Sequence, residues 1–208
     1  MQNDGKRVSE AVIKRLPRYY RVFQELGKRG ERRISSGRIA EYMGVTASQV
    51  RQDFCSFGGF GQQGYGYDVA KMTDEFARII GLDKRYKMVI VGAGNIGRAL
   101  ANYNGFSSEG YLVTALFDEY PKGDFVGKIP LYTAEKLGEY LKENETDIAV
   151  IAAPKESAEN ILEKLVAAGI KAVWNFAPVE LKSTEGVLIE NISMSDSLYV
   201  LSYKLNNK

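Results

Sequence analysis

A short apolar run, Lys87-Met88-Val89-Ile90-Val91, passes directly into Gly92-Ala93-Gly94-Asn95-Ile96-Gly97. No other feature of the chain limits its possible folds as sharply. A strand that enters a G-x-G-x-x-G turn and leaves as a helix is the opening of a dinucleotide-binding βαβ unit. Gly92 permits the tight turn, Gly94 lets the backbone approach a pyrophosphate, and Gly97 permits close packing of helix on strand. An apolar helix with Ile96, Ala99, Leu100 and Tyr103 follows. The helix N-terminus offers unpaired amides to phosphate oxygens, and Ala93, Asn95 and Ile96 of the turn are candidate cofactor contacts. A second strand, Leu112 to Phe117, ends at Asp118, 21 residues beyond Gly97. A carboxylate there accepts both ribose hydroxyls of an adenosine. Glu119, Tyr120 and Pro121 come next, with no immediate arginine to meet a 2′-phosphate. NAD(H) is therefore expected rather than NADP(H). A glycine turn in a nucleotide-free βαβ unit would share the glycines but would not require the acid.

Strand–helix alternation continues to about Ile192. A helix is expected over 133–142, a strand over 147–152, a helix over 156–168, strands over 171–174 and 186–189, and a last helix over 196–205. In open α/β sheets ligands bind beyond the carboxyl ends of strands. Ala152, Ala153 and Pro154 after one strand, and Asn175, Phe176 and Ala177 after the next, are the candidate walls of the nicotinamide end. About 60 residues follow the nucleotide unit, enough to finish the sheet but not to build a separate substrate domain.

The first third of the chain has a different texture. Residues 1–60 carry 12 basic and 6 acidic side chains, and the remainder 16 and 20. A basic end on an acidic body points to a polyanionic partner. Ser9 is a candidate N-cap, and Val12, Leu16, Tyr19, Tyr20, Phe23 and Leu26 form a helical apolar stripe. Pro17 is expected to kink this helix or begin a second piece. Ser35 or Ser36 caps a short helix that stops at Gly44, and Thr46 or Ala47 opens a third helix through about Phe54. This is a helix-turn-helix pattern. Its third helix presents Ser48, Gln49, Arg51 and Gln52, side chains suited to base edges and phosphates. Cys55, on the same helix, is expected to be buried. Gly61-Gln62-Gln63-Gly64 reads as a hairpin tip flanked by aromatic strands, hence a wing beside the third helix. A helix over 69–80 then leads into the second domain.

The composition excludes several classes. There are no histidines and one cysteine. Cys/His zinc sites, Ser-His-Asp and Cys-His nucleophiles and an intramolecular disulfide cannot be built from this inventory. The chain has neither an apolar run of membrane length nor a secretory leader, so a cytoplasmic protein without a membrane or metal partner is expected. An NAD-dependent oxidoreductase, lacking the commonest acid/base residue, is the main alternative. A nucleotide-binding module whose basic segment contacts protein rather than DNA is another.

Motifs in both halves occur together and in order: Ile34-Ser35-Ser36, Val50-Arg51-Gln52-Asp53, Phe57-Gly58-Gly59-Phe60-Gly61, Val91 through Leu100, Asn102-Tyr103-Asn104-Gly105-Phe106, Phe117-Asp118 and Asn175-Phe176-Ala177-Pro178-Val179. The chain resembles the Rex family of redox-sensing transcriptional repressors over nearly its whole length. The resemblance implies an α/β protein with an N-terminal winged helix-turn-helix domain (1–80), a Rossmann-like NAD(H)-binding domain (81–192) and a C-terminal domain-swapped helix (193–208). It implies a homodimer that reads a palindromic operator and senses NADH against NAD+, with no catalytic residue. Arg51 and Gln52 would enter the major groove, with the Gln62/Gln63 wing beside the minor groove. Met194 would close over the nicotinamide of the partner subunit. Arg21 and Tyr103 would link the cofactor pocket to the DNA-binding domain. Three departures stand out: Gln52 where the family usually has Lys, Gln62 and Gln63 where it has Lys or Arg, and Ser193-Met194 where it often has Asp and a bulky apolar residue. Fewer cations imply weaker phosphate binding, a flatter salt dependence and a shifted operator preference. Asp196 is the nearest substitute carboxylate.

Overall fold

The computed structural model describes residues 8–58, 65–183 and 186–207. The chain divides into two compact units, one up to Lys84 and one from Arg85 onward. Among the described residues no helix is long and apolar enough to cross a membrane.

The first unit is built on α1 (Glu10–Lys28), whose apolar stripe Val12, Leu16, Tyr19, Phe23 and Leu26 is buried. α1 runs as one helix through Pro17, so no second helical piece begins there. Pro17 lies on the exposed face, as does Ile13, whose carbonyl loses its helical partner. Water can satisfy that carbonyl, and buried residues of the stripe lie on both sides of the proline. After β1 (Arg33–Ile34) come α2 (Ser36–Met43) and α3 (Ala47–Cys55). Their caps match the sequence reading. Ser35 Oγ accepts from the Arg38 amide at 3.2 Å, and Thr46 Oγ1 accepts from the Gln49 amide at 3.1 Å. Each such cap is worth about 1 kcal/mol.

The strand that follows the glycine-rich segment does not pair as expected. β2 (Tyr67–Asp68) is antiparallel to β1, with Ile34 opposite Tyr67. Phe57 and Gly58 lie in a turn rather than in a flanking strand. The tip, with Gln62 and Gln63, falls outside the described residues. α4 (Val69–Ile80) is more than a connector: Val69, Met72 and Phe76 are buried in the same core as α1. Phe54 of α3 meets Tyr19, Tyr67 and Phe76 at ring centroid distances of 5.0, 4.8 and 5.3 Å, all edge-to-face. The third helix is thereby fixed to the unit by a large buried aromatic.

The second unit holds a seven-stranded sheet. Its strands are β3 (Tyr86–Val91), β4 (Tyr111–Asp118), β5 (Phe125–Val126), β6 (Ile129–Thr133), β7 (Ile148–Ile151), β8 (Ala172–Asn175) and β9 (Leu188–Asn191). The order is β5-β6-β4-β3-β7-β8-β9, parallel throughout except for the β5–β6 pair. Leaving out β5, this is the 3-2-1-4-5-6 order of the doubly wound dinucleotide fold, and it reverses between β3 and β7. Val89, Phe117, Ala149 and Leu165 pack one face of the sheet; Ile90, Leu116, Val150 and Leu131 pack the other. Both faces being covered explains why these strands read as continuous apolar runs.

β5 and β6 escaped the sequence reading. β5 has two residues, and Pro130 breaks the apolar run of β6, where proline counts against a central strand. The expected helix at 133–142 begins as a 3-10 turn, Ala134–Lys136, and continues as α7 (Leu137–Glu143). α5 (Asn95–Ala101) ends before Tyr103, which is exposed and outside the helix; a short α6 (Gly105–Ser108) follows. α8 (Lys155–Ala167) joins β7 to β8, and α9 (Asp196–Asn206) closes the chain. α9 buries none of its residues, and Leu198, Val200, Leu201 and Leu205 are all exposed.

Candidate functional site

The glycine turn between β3 and α5 lies at the sheet's switch point. Gly92 has φ +107, and a Cβ there would strike the backbone carbonyl of Ala152 at the end of β7. A Cβ on Gly97 would run into the carbonyl oxygen of Gly92 and lie 3.3 Å from Ile90 Cγ2. These two glycines let β3, β7 and α5 converge. Gly94 is different: nothing lies within 4 Å of its would-be Cβ. Open space at the second glycine is what a pyrophosphate needs.

Asp118 closes the other side of the turn. Its Oδ2 accepts from the Ala93 amide at 2.6 Å and its Oδ1 from the Tyr120 amide at 2.9 Å. Each oxygen keeps a further lone pair, so the carboxylate can hold the turn and still accept ribose hydroxyls. Asn95 and Ile96, in the first turn of α5, are exposed. Arg98, which the sequence reading gave no role, donates from Nε to the Ala93 carbonyl at 2.8 Å and from Nη2 to the Lys122 carbonyl at 3.3 Å. It braces the turn from α5. Its position one residue past the last glycine was the only signal.

The nicotinamide-end candidates divide. Ala152 and Phe176 lie half-buried on the sheet face shared with Leu100 and Ala93, with Phe176 edge-to-face on Trp174 at 4.6 Å. Ala153 packs against the opposite face, and Pro154 is exposed as the N-cap of α8. Asn175 is not a wall. It is buried, and its amide donates to the Val179 carbonyl at 2.7 Å and to Asn191 Oδ1 at 2.8 Å. Its Oδ1 accepts from the amide of Ala177, also buried, at 3.0 Å. Asn191 in turn pairs with both backbone groups of Leu181. The two asparagines shape the loop that carries Phe176, and their polar groups are consumed in doing so. Met194 is exposed before α9, and Ser193 Oγ donates to Asp196 Oδ1 at 2.6 Å.

In the first unit, α3 presents Ser48, Arg51 and Gln52 outward, and Cys55 with them. Cys55 is exposed, not buried as expected, because Val50, Asp53 and Phe54 already fill the inner face. Arg51 Nη1 donates to Ser36 Oγ at 3.1 Å across the helix-turn-helix. Gln49 departs from the reading. It is half-buried, and its Nε2 donates to Asp53 Oδ1 at 2.7 Å. The i, i+4 spacing turns it toward Asp53 and away from the outer face. Arg21 is exposed on α1.

Asp53 is fully buried. Arg15 grips it with two bonds of 2.7 and 2.8 Å, and the Tyr19 hydroxyl donates to it at 2.9 Å. Burial pushes the Asp53 carboxyl up, but hydrogen bonds from Arg15, Gln49 and Tyr19 together outweigh it and hold the carboxyl below its ordinary value of 3.8. Burial and the bond to Asp53 push the Tyr19 phenol well up. The folded-state value for Asp53 being the lower one, the unfolded chain takes the proton more readily. The stabilisation is fully present above the ordinary carboxyl value and is lost as pH falls through the folded one. The first unit is therefore expected to lose stability below about pH 4, read by circular dichroism at graded pH. Asp53→Asn should flatten that loss; an unchanged acid profile would exclude Asp53 as its source.

The comparisons match this two-part architecture. A family described as "Putative DNA-binding protein N-terminus" matches residues 7–55, and one described as "CoA binding domain" matches residues 83–179. The chain is 48% identical over 203 residues to the redox-sensing transcriptional repressor Rex of Caldanaerobacter subterraneus subsp. tengcongensis, covering 97% of this chain and 91% of that protein. It belongs to the Rex family. The Rex of Clostridioides difficile is 46% identical over 201 residues, covering 96% of each chain. Among solved structures, a Rex-family repressor in complex with NAD+ and operator DNA superposes with a TM-score of 0.91 at 46% identity, covering 97% of this chain and 94% of that one. The complex with NADH gives 0.90 at 43% identity, covering 97% and 96%. The Rex architecture thus spans both units, from the helix-turn-helix through the doubly wound sheet.

Proposed function

We propose that the chain is a transcriptional repressor that binds operator DNA and is released from it by NADH. The observation that carries this reading is the pairing of an open glycine turn, pinned by Asp118, with an exposed Arg51/Gln52 face on a firmly anchored helix, in one Rex-family chain. Gly92, Gly94, Gly97 and Asp118 hold the adenosine and pyrophosphate of NAD(H), and Phe176 and Ala152 flank the nicotinamide. NADH and NAD+ differ there in ring charge and planarity. NADH shifts the population away from the DNA-binding form only by its differential affinity for the two forms. Operator must then weaken NADH binding by the same factor.

The protein acts as a homodimer on a palindrome, each subunit placing Ser48, Arg51 and Gln52 in a major groove, with Gln62 and Gln63 beside the minor groove. The exposed apolar side chains of α9 support a swap of this helix into the partner, with Met194 closing over the partner's nicotinamide. Arg21 and Tyr103 couple the two events, and Asp196 stands in for the family's hinge carboxylate. No hydride acceptor is turned over.

Fluorescence anisotropy of a labelled palindromic duplex tests the reading. NADH should release the duplex and NAD+ should not. Binding that ignores both nucleotides would overturn it. Arg51→Ala should weaken operator binding by about tenfold or more, the worth of one bidentate base contact, with NADH affinity unchanged. Equal operator affinity in this variant would point to a protein partner for the basic segment.

A further inference from the structure

α1 holds both helices of the helix-turn-helix through two arginines three residues apart. Arg18 Nη2 donates to the Tyr42 carbonyl near the end of α2 at 3.0 Å. Arg15 grips Asp53 of α3 with its full fork, and Tyr19 adds a third donor from the next turn. Gln49 completes the set from α3 itself. Asp53 therefore accepts four hydrogen bonds while fully buried, and meeting them all fixes the orientation of its side chain. A helix advances about 100° per residue. Fixing Asp53 and Gln49 inward thus fixes Ser48, Arg51, Gln52 and Cys55 on the outer face. A small roll about the α3 axis would break the fork and swing Arg51 and Gln52 together.

We infer that Arg15 and Tyr19 are positioning residues for operator reading. Through Asp53 they set the roll of α3 and so decide which side chains reach base edges, without touching DNA themselves. The inference rests on the operator-binding reading above and adds a specificity role for residues outside the third helix. Arginine is required at 15 because only its planar fork engages both carboxylate oxygens; lysine keeps the charge and loses the geometry. Val50 and the edge-to-face contacts of Phe54 hold α3 against the core, and the four bonds to Asp53 add a restraint on its roll that a change of one polar group can relax.

The test uses the full-length protein with Arg15→Lys and, as the gentler variant, Tyr19→Phe, which removes a single hydroxyl. Operator affinity is measured for the palindrome and for duplexes with single-base changes in each half-site, together with salt dependence and NADH affinity. Arg15→Lys should lose about tenfold on the palindrome, the discrimination one misplaced bidentate contact forfeits. Its preference among half-site variants should narrow, while the salt slope and NADH affinity stay as in the parent. Tyr19→Phe should move the same way by a smaller factor, which keeps the inference testable should Arg15→Lys fail to fold. Unchanged discrimination in folded variants would overturn it and leave the cluster a stabilising role only. A loss of affinity uniform across all duplexes would overturn it too, because it would mark a phosphate contact. A parent protein with no sequence preference would overturn the operator-binding reading itself, a separate result from variants that match a selective parent.

Discussion

Gly97→Ala is expected to abolish the response to NADH. The added Cβ would meet the Gly92 carbonyl oxygen, part of the backbone, and Ile90 Cγ2 on the strand beneath. Neither can yield as the tip of a flexible side chain could. α5 must lift from β3, taking the turn amides and the Arg98 brace with it. A loss of about 100-fold in NADH affinity, near 2.7 kcal/mol, is expected in a titration of NADH fluorescence, with lower thermal stability of the second unit. Operator binding should persist, since the first unit is untouched, and should no longer be reversed by NADH. Gly94→Ala is the informative control. Its Cβ meets nothing within 4 Å, so the unit should stay as stable as the parent while the methyl group blocks the pyrophosphate. A Gly94→Ala protein that binds NADH normally would remove the phosphates from this turn.

Asp53→Ala should strongly destabilise the first unit. It strips the acceptor from Arg15, Tyr19 and Gln49 at once. Breaking a buried ion pair by removing one partner costs about 3–5 kcal/mol. Arg15 keeps 28% of its side-chain surface exposed and can regain some hydration, which places the expected loss near the lower end. A fall in the unfolding midpoint on the order of 15 °C follows for a unit of this size, read by circular dichroism. The comparison that decides the mechanism is Glu10→Gln. Glu10 pairs with Lys14 at 2.8 Å, a similar distance, but both side chains are more than 60% exposed. Water screens that pair, and its loss should barely be measurable. Equal effects from the two substitutions would mean that burial does not set the worth of the Asp53 cluster.

Both predictions draw on features of unequal legibility. Gly97 could be assigned from the sequence because helix-on-strand packing imposes a local rule that only glycine meets. Asp118 could be assigned for a similar reason: the length of one βα unit fixes where the next strand ends. The helix caps at Ser35 and Thr46 involve atoms only three residues apart and were equally legible. Asp53 was visible only as part of a motif. Its partners lie 34 and 38 residues away on α1, and no periodicity connects them.

The misplaced residues share one cause. Gln49, Cys55 and Asn175 were assigned from residue type and position on an element, which leaves the direction of the side chain open. Gln49 has an amide suited to adenine, yet Asp53 four residues on claims it. Cys55 belongs to a residue type most often buried, yet Val50 and Phe54 had already filled the inner face. Asn175 ends a strand where ligands gather, yet Asn191 and the backbone of 177–179 satisfy its amide completely. β6 was lost because Pro130 breaks its pattern, although its pairing with β4 at Leu116 and Phe117 places it firmly in the sheet.

The sequence by itself determined the order of the two units, the glycine turn with its acid, the caps at Ser35 and Thr46 and the apolar stripe of α1. Those depend on contacts within a few residues or within one βα repeat, where stereochemistry allows few alternatives. Only the tertiary structure decided which polar side chains remain available for ligands and which are spent on the fold. A hydrogen bond joins whatever the folded chain brings within 3 Å, and for Asp53, Asn175 and Asp118 those partners come from other elements.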